Sequence, residues 1–171
     1  LARPFRAIVL CLVLAPPLGY LGYCWWRADV DGYPTQDAKV RTLASWLREN
    51  TASQDTLFVW GDYAPVYWLA NRSPGTRYIM TAVQAGNFDP GQLPPGFDVR
   101  PYREVEHVKR TLVDLETRRP AWVVDTAPAD IHHWSAVPLS VFPELEAYVQ
   151  SHYTQVASPA GAAVYRRRQM P

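Results

Sequence analysis

The chain has 171 residues and a formal net charge of +1, long enough for one domain with a sizeable core plus an appendage. So slight a charge provides no strong field for nucleic acid or an acidic partner, and nucleic acid is not an expected ligand. The two cysteines, Cys11 and Cys24, both fall in an apolar N-terminal stretch, which leaves the remainder without a disulfide framework or a thiolate metal site.

Residues 7–26, AIVLCLVLAPPLGYLGYCWW, carry no charge. As a helix rising about 1.5 Å per residue this run is roughly 30 Å long, one hydrocarbon thickness. Arg3 and Arg6 precede it, and Tyr20, Tyr23, Trp25 and Trp26 close it like an interfacial belt. The expectation is a transmembrane helix with flanks over residues 1–30, kinked at Pro16 and Pro17, its arginines cytoplasmic and the following chain outside. A cleaved signal peptide, a lipoprotein signal and a buried soluble helix are weaker alternatives. No small-x-small site follows the apolar core, Tyr23 and Leu10 precede the cysteines, and a double proline is a poor helix interior. The start at Leu1 without methionine reads as a piece of something longer or a processed product.

From residue 31 to 171 the pattern is globular. DGYPTQ reads as a linker, with Thr35 capping a helix over 37–50 whose Val40, Leu43, Ala44 and Leu47 share one face. TLFVW is a buried strand, Pro65 opens a second helix through Ala70, and TRYIM (76–80) is the next strand. A turn-rich loop over 86–101 leads to a third helix over 102–118, with Val105, Val108, Leu112 and Leu115 inward. AWVVD (121–125) is a third strand, 140–152 a fourth helix, and TQVASPAGAAVYRRR a hairpin turning at SPAG. This alternation predicts a small three-layer α/β sandwich with a mostly parallel sheet and a C-terminal hairpin.

Candidate chemistry is sparse. Gly61 ends a strand and opens a helix, but neither the three glycines of a dinucleotide fingerprint nor a P-loop lysine accompanies it. Asp125 stands at a strand's carboxyl end, where open α/β sheets place ligands, and His132 and His133 follow it. Adjacent histidines lack the spacing of zinc hydrolases, so neither a metal nor a cofactor is expected in this chain. Trp60 and Tyr63 flank the glycine as a pair suited to stacking on a sugar, whereas Tyr67 and Trp68 read as core. Asp62, Arg72 and Arg77 complete the expected substrate-contacting set, with Arg72 favoured for holding the loop by its carbonyl groups.

Trp60-Gly61, Pro65, Tyr67, Ala70-Asn71-Arg72, Pro74 and Thr76-Arg77-Tyr78 resemble the C-terminal region of polytopic bacterial C-type membrane glycosyltransferases. These are similar to polyprenyl- or dolichyl-phosphate-mannose protein mannosyltransferases and lipid A aminoarabinose transferases. FPELEAYVQSHYTQV followed by AAVYRRR resembles the closing helix and hairpin of the same domain. The resemblance implies the last helix of a transmembrane bundle in the plasma membrane and a non-catalytic periplasmic cap over residues 31–171. It also implies a polyprenyl-phosphate sugar donor and a glycan, lipid or protein acceptor. No position matches the family's catalytic loop, so no catalytic residue carries over. Two other readings are a single-span anchored binding module and an anchored enzyme using Asp125 with His132 or His133.

Overall fold

A computed structural model of the protein describes residues 3–30, 33–61 and 64–169, with side chains described among them except at 3–9, 28–30 and 33–34. By internal contacts the chain divides into two units, Leu1–Asp37 and Ala38–Pro171.

In the first unit, α1 (Arg3–Val30) runs through Pro16 and Pro17 without a break. Each proline lacks the N–H that would bond the carbonyl four residues back, on Leu12 and Val13. Leu10, Leu12, Leu18, Leu21, Trp25 and Trp26 all stand exposed. Among the described residues no helix is long and apolar enough to cross a membrane. The uncharged run begins at Ala7, ahead of Leu10, the first side chain of α1 that is described.

α2 (Tyr33–Asn50) starts earlier than the expected Thr35 cap allows, with Pro34 in its first turn, where a fixed φ suits the helix and no N–H is needed. In the second unit its Val40, Leu43, Ala44 and Leu47 are buried, as their spacing predicts. Next come β1 (Thr56–Trp60), α3 (Pro65–Ala70), the two-residue β2 (Ser73–Pro74), α4 (Ala82–Ala85) and α5 (Val105–Arg118). β3 (Trp122–Asp125), α6 (Pro143–His152), β4 (Tyr153–Ala157) and β5 (Ala163–Arg167) complete the unit.

The five strands form one sheet in the order β2-β1-β3-β5-β4. β1 pairs parallel with β2 and β3, but β5 pairs antiparallel with both β3 and β4. The mostly parallel sheet expected from helix–strand alternation is therefore mixed. The predicted hairpin does form, and its tight turn makes its own pair antiparallel. It then inserts β5, rather than a crossover strand, beside β3.

A second correction concerns 76–80, expected as a strand. That segment is bends and irregular backbone, and the edge strand is Ser73–Pro74 before it. The backbone N–H of Arg77 donates to a carboxylate oxygen of Asp114 at 2.7 Å, and the Thr76 hydroxyl donates to the Tyr78 carbonyl at 2.9 Å. Groups a ladder needs are thus taken by side chains.

The three layers follow from strand alternation. Leu57, Val59, Trp122, Val124 and Val164 face α2 and α3 in one core. Phe58, Trp60 and Val123 face Val108 and Leu115 of α5 and Leu145 and Val149 of α6 in the other.

Candidate functional site

The segment from β1 through α3 to β2 concentrates the sequence-predicted site residues, and its geometry starts with Arg72. This side chain is only 8% exposed, and among the described residues it has no carboxylate partner. Its Nε donates to the Thr51 hydroxyl, one terminal nitrogen to the carbonyls of Ala70 and Asn71, and the other to those of Arg48 and Thr51. α2 and α3 both end here, so Arg72 meets the carbonyls that helix C-termini leave unpaired, where the helix dipoles favour a cation. Every one of its N–H directions is occupied by the fold, which is the loop-holding role favoured from sequence.

Trp60 is fully buried, not an exposed stacking surface. Its indole N–H donates to the Val137 carbonyl at 3.0 Å, and its ring meets Phe142 edge-on at 4.7 Å. The reason is strand register: Trp60 shares the face of Phe58, which the α5–α6 layer covers. At Gly61, φ is +122°, and an added Cβ would sit 1.9 Å from the Thr126 hydroxyl oxygen. The Gly61 N–H donates to the Thr81 hydroxyl at 2.8 Å, while Thr126 donates both its N–H and its hydroxyl to the Trp60 carbonyl. Glycine here makes a close turn and its N–H is committed. Asp62 and Tyr63 lie outside the described residues.

Arg77 donates through Nε and a terminal nitrogen to both oxygens of Asp114, at 2.9 and 2.8 Å. Asp114 is buried, and its hydrogen bond with Arg77 holds its carboxyl below the usual range. Asp125 is also buried, on the α6 side of the sheet. Burial pushes its carboxyl up to about 6, the Ala127 N–H bond works against this, and the charge of Glu146 adds to it. The described hydrogen bonds do not join Asp125 to His132 or His133. His132 and His133 have left-handed backbones at φ 50° and 65°, as does Asp130 at 50°, whose carboxylate accepts from the N–H and hydroxyl of Ser135. Among the described residues no three His, Cys, Asp or Glu side chains gather as a metal-binding group.

Among the described residues of this region the exposed aromatic is Trp68, which sequence reasoning placed in the core with Tyr67. Trp68 is 80% exposed, whereas Tyr67 is buried, its hydroxyl accepting the Val59 N–H at 3.0 Å. Burial raises the Tyr67 hydroxyl to about 12. The signal was available: on α3 the buried positions are 66, 67 and 70, and a 3.6-residue turn puts 68 on the opposite side. Trp68 borders an open depression of about 430 Å³, lined also by Tyr67, Ser53, Asn71, Arg72, Ser73 and Pro74. Asn71 ends α3 in the left-handed region at φ 54°, a conformation asparagine tolerates.

No family model, curated protein or solved structure matches this chain.

Proposed function

We propose that the chain is the C-terminal part of a polytopic bacterial glycosyltransferase of the plasma membrane that uses a polyprenyl-phosphate sugar. Residues 7–26 supply its last membrane helix, and residues 31–171 a periplasmic cap whose catalytic partners lie elsewhere in the protein. The observation that carries this is α1, an unbroken helix through an uncharged run, with exposed leucine and tryptophan side chains along it. Its full apolar length enters from sequence, since the described side chains start at Leu10. The resemblance supports it from the other side. Its two blocks fall on the β1–α3–β2 corner and on the α6–β4–β5 close of the domain. Acceptor contact moves from Trp60 to the Trp68 depression, because Trp60, Arg72 and Arg77 are committed to the fold.

The test expresses the whole reading frame in bacterial membranes. The protein stays in the pellet after alkaline carbonate extraction, and the membranes move labelled sugar from a polyprenyl-phosphate donor above a vector control. Release into the carbonate supernatant, or labelling no higher than the control, overturns the reading. A second reading, an anchored sugar-binding module with no enzyme attached, is favoured by the same depression and is separated from the first by that labelling.

A further inference from the structure

The depression beside Trp68 has a composition that narrows its ligand. Its 430 Å³ lies within the roughly 300–1,000 Å³ of small-molecule sites. One wall is an indole that the fold leaves 80% open to solvent. Burying so large a ring is favourable, and no described residue of the second unit does so. The rest of the lining is small and neutral. The Asn71 carboxamide and the Ser73 hydroxyl are exposed and make no hydrogen bond to the described residues. Ser53 has only a long 3.3 Å bond to its neighbour Gln54. A carboxamide and hydroxyls both donate and accept, which suits a ligand whose own groups do both.

Among the described lining residues the one that is charged is Arg72, and it is not available to an anion. Its N–H groups are already directed at the Ala70, Asn71, Arg48 and Thr51 carbonyls and the Thr51 hydroxyl. Among the described lining residues a phosphate or carboxylate ligand would find no free cation, and a cationic ligand no carboxylate. A flat apolar face opposed by neutral two-way hydrogen-bonding groups fits a ring with C–H groups on one face and hydroxyls round its edge.

We infer that the Trp68 depression is a binding subsite for an uncharged sugar ring, stacked on the indole and held at its edge by Asn71, Ser73 and Ser53. This names the ligand class of the acceptor contact and rests on the proposed function only for the biological role of that contact. The subsite lies beside the start of β1, where β2 pairs with it, and not at the carboxyl ends of β1 and β3 where Asp125 stands.

Saturation-transfer NMR on the detergent-purified full chain tests it, with methyl α-glucopyranoside and N-acetylglucosamine as neutral probes and glucuronate as the charged one. Neutral probes receive saturation, strongest on the C–H protons of one ring face. Trp68→Ala weakens binding by about tenfold, the scale for truncating a central aromatic anchor. Trp68→Tyr, which keeps a flat ring, retains most of the signal. Asn71→Gly, which preserves the left-handed backbone, weakens binding less than Trp68→Ala. Trp25→Ala, another exposed tryptophan, changes nothing. Absence of saturation transfer, equal transfer to Trp68→Ala, or tighter binding of glucuronate than of the neutral probes overturns the inference. None of these results alters carbonate extraction or sugar labelling, so a failure here is distinct from a failure of the proposed function.

Discussion

The two ends of β1 are closed by opposite means. Where the strand starts, one guanidinium gathers the carbonyls of two helix termini, and no described carboxylate takes part. Where it finishes, neutral groups do the work: two threonine hydroxyls bond the Trp60–Gly61 backbone, and a buried indole fills the space behind. A buried charge is tolerated at the first end because the helix dipoles and unpaired carbonyls there replace the water it has lost. The second end has no room for an extra atom at Gly61. Among the described residues the accessible ring of this corner is Trp68 and not Trp60, because the α3 turn carries Trp68 outward while the register of β1 puts Trp60 under the α5–α6 layer.

The first end breaks most severely. Arg72→Ala strips the partners from four carbonyls, two of them at helix ends, and costs about 3–5 kcal/mol, read as a fall in the unfolding midpoint of the purified chain. Arg72→Lys recovers little, because an ammonium cannot span both helix ends as a planar fork does. A lysine variant with the parent midpoint would show that charge alone suffices there. At the other end, Gly61→Ala forces a Cβ onto the Thr126 hydroxyl and a side chain into φ +122°, costing about 2–4 kcal/mol. Adding Thr126→Ala removes the hydroxyl overlap but also that hydroxyl's bond to the Trp60 carbonyl, and it leaves the backbone strain, so it restores only part of the loss. Full recovery in the double variant would place the whole effect in the clash.

Much of this contrast was legible in the sequence and part was not, for reasons that separate local from distant causes. The i, i+3, i+4, i+7 face of α2 and the continuous apolar run of TLFVW are local, and a helix on a strand buried on both faces follows from them. Arg72 was readable as a loop-holder because carbonyl-rich turns surround it. The position of Trp60 was not, since its burial comes from Val137 and Phe142, distant in sequence. The strand expected at 76–80 failed for the same reason: Asp114, far along the chain on α5, captures the Arg77 amide. Trp68 is a different kind of error. Its exposure was written in the helical wheel of α3, and grouping it with the neighbouring aromatics obscured it.

The two buried aspartates extend the comparison to pH, with smaller effects of opposite sign. Burial raises Asp125 to about 6, so between about pH 4 and 6 the folded chain holds a proton that the unfolded chain has released. Its contribution to stability is therefore greatest at low pH and declines as pH rises through that window. Asp125→Asn stabilises the chain at pH 7.5 by about 1–3 kcal/mol and changes little at pH 4, since the carboxamide oxygen can still accept the Ala127 N–H. An equal gain at both pH values would exclude ionisation as the cause.

Asp114 runs the other way. Its bond with Arg77 depresses its pKa, so its contribution is complete above the unfolded value near 4 and disappears as pH falls through the lower folded value. Arg77 is partly exposed, which screens the pair and keeps the effect the smallest of the four. Asp114→Asn lowers the melting temperature at pH 7 while leaving an oxygen for the Arg77 amide, and it flattens the fall in melting temperature between pH 4 and pH 2.5. Melting curves across that range for the parent and both variants check the pair together. If Asp114→Asn leaves the acid limb unchanged, the carboxylate serves only as a backbone acceptor, and the corner at Arg77 is held by geometry without help from charge.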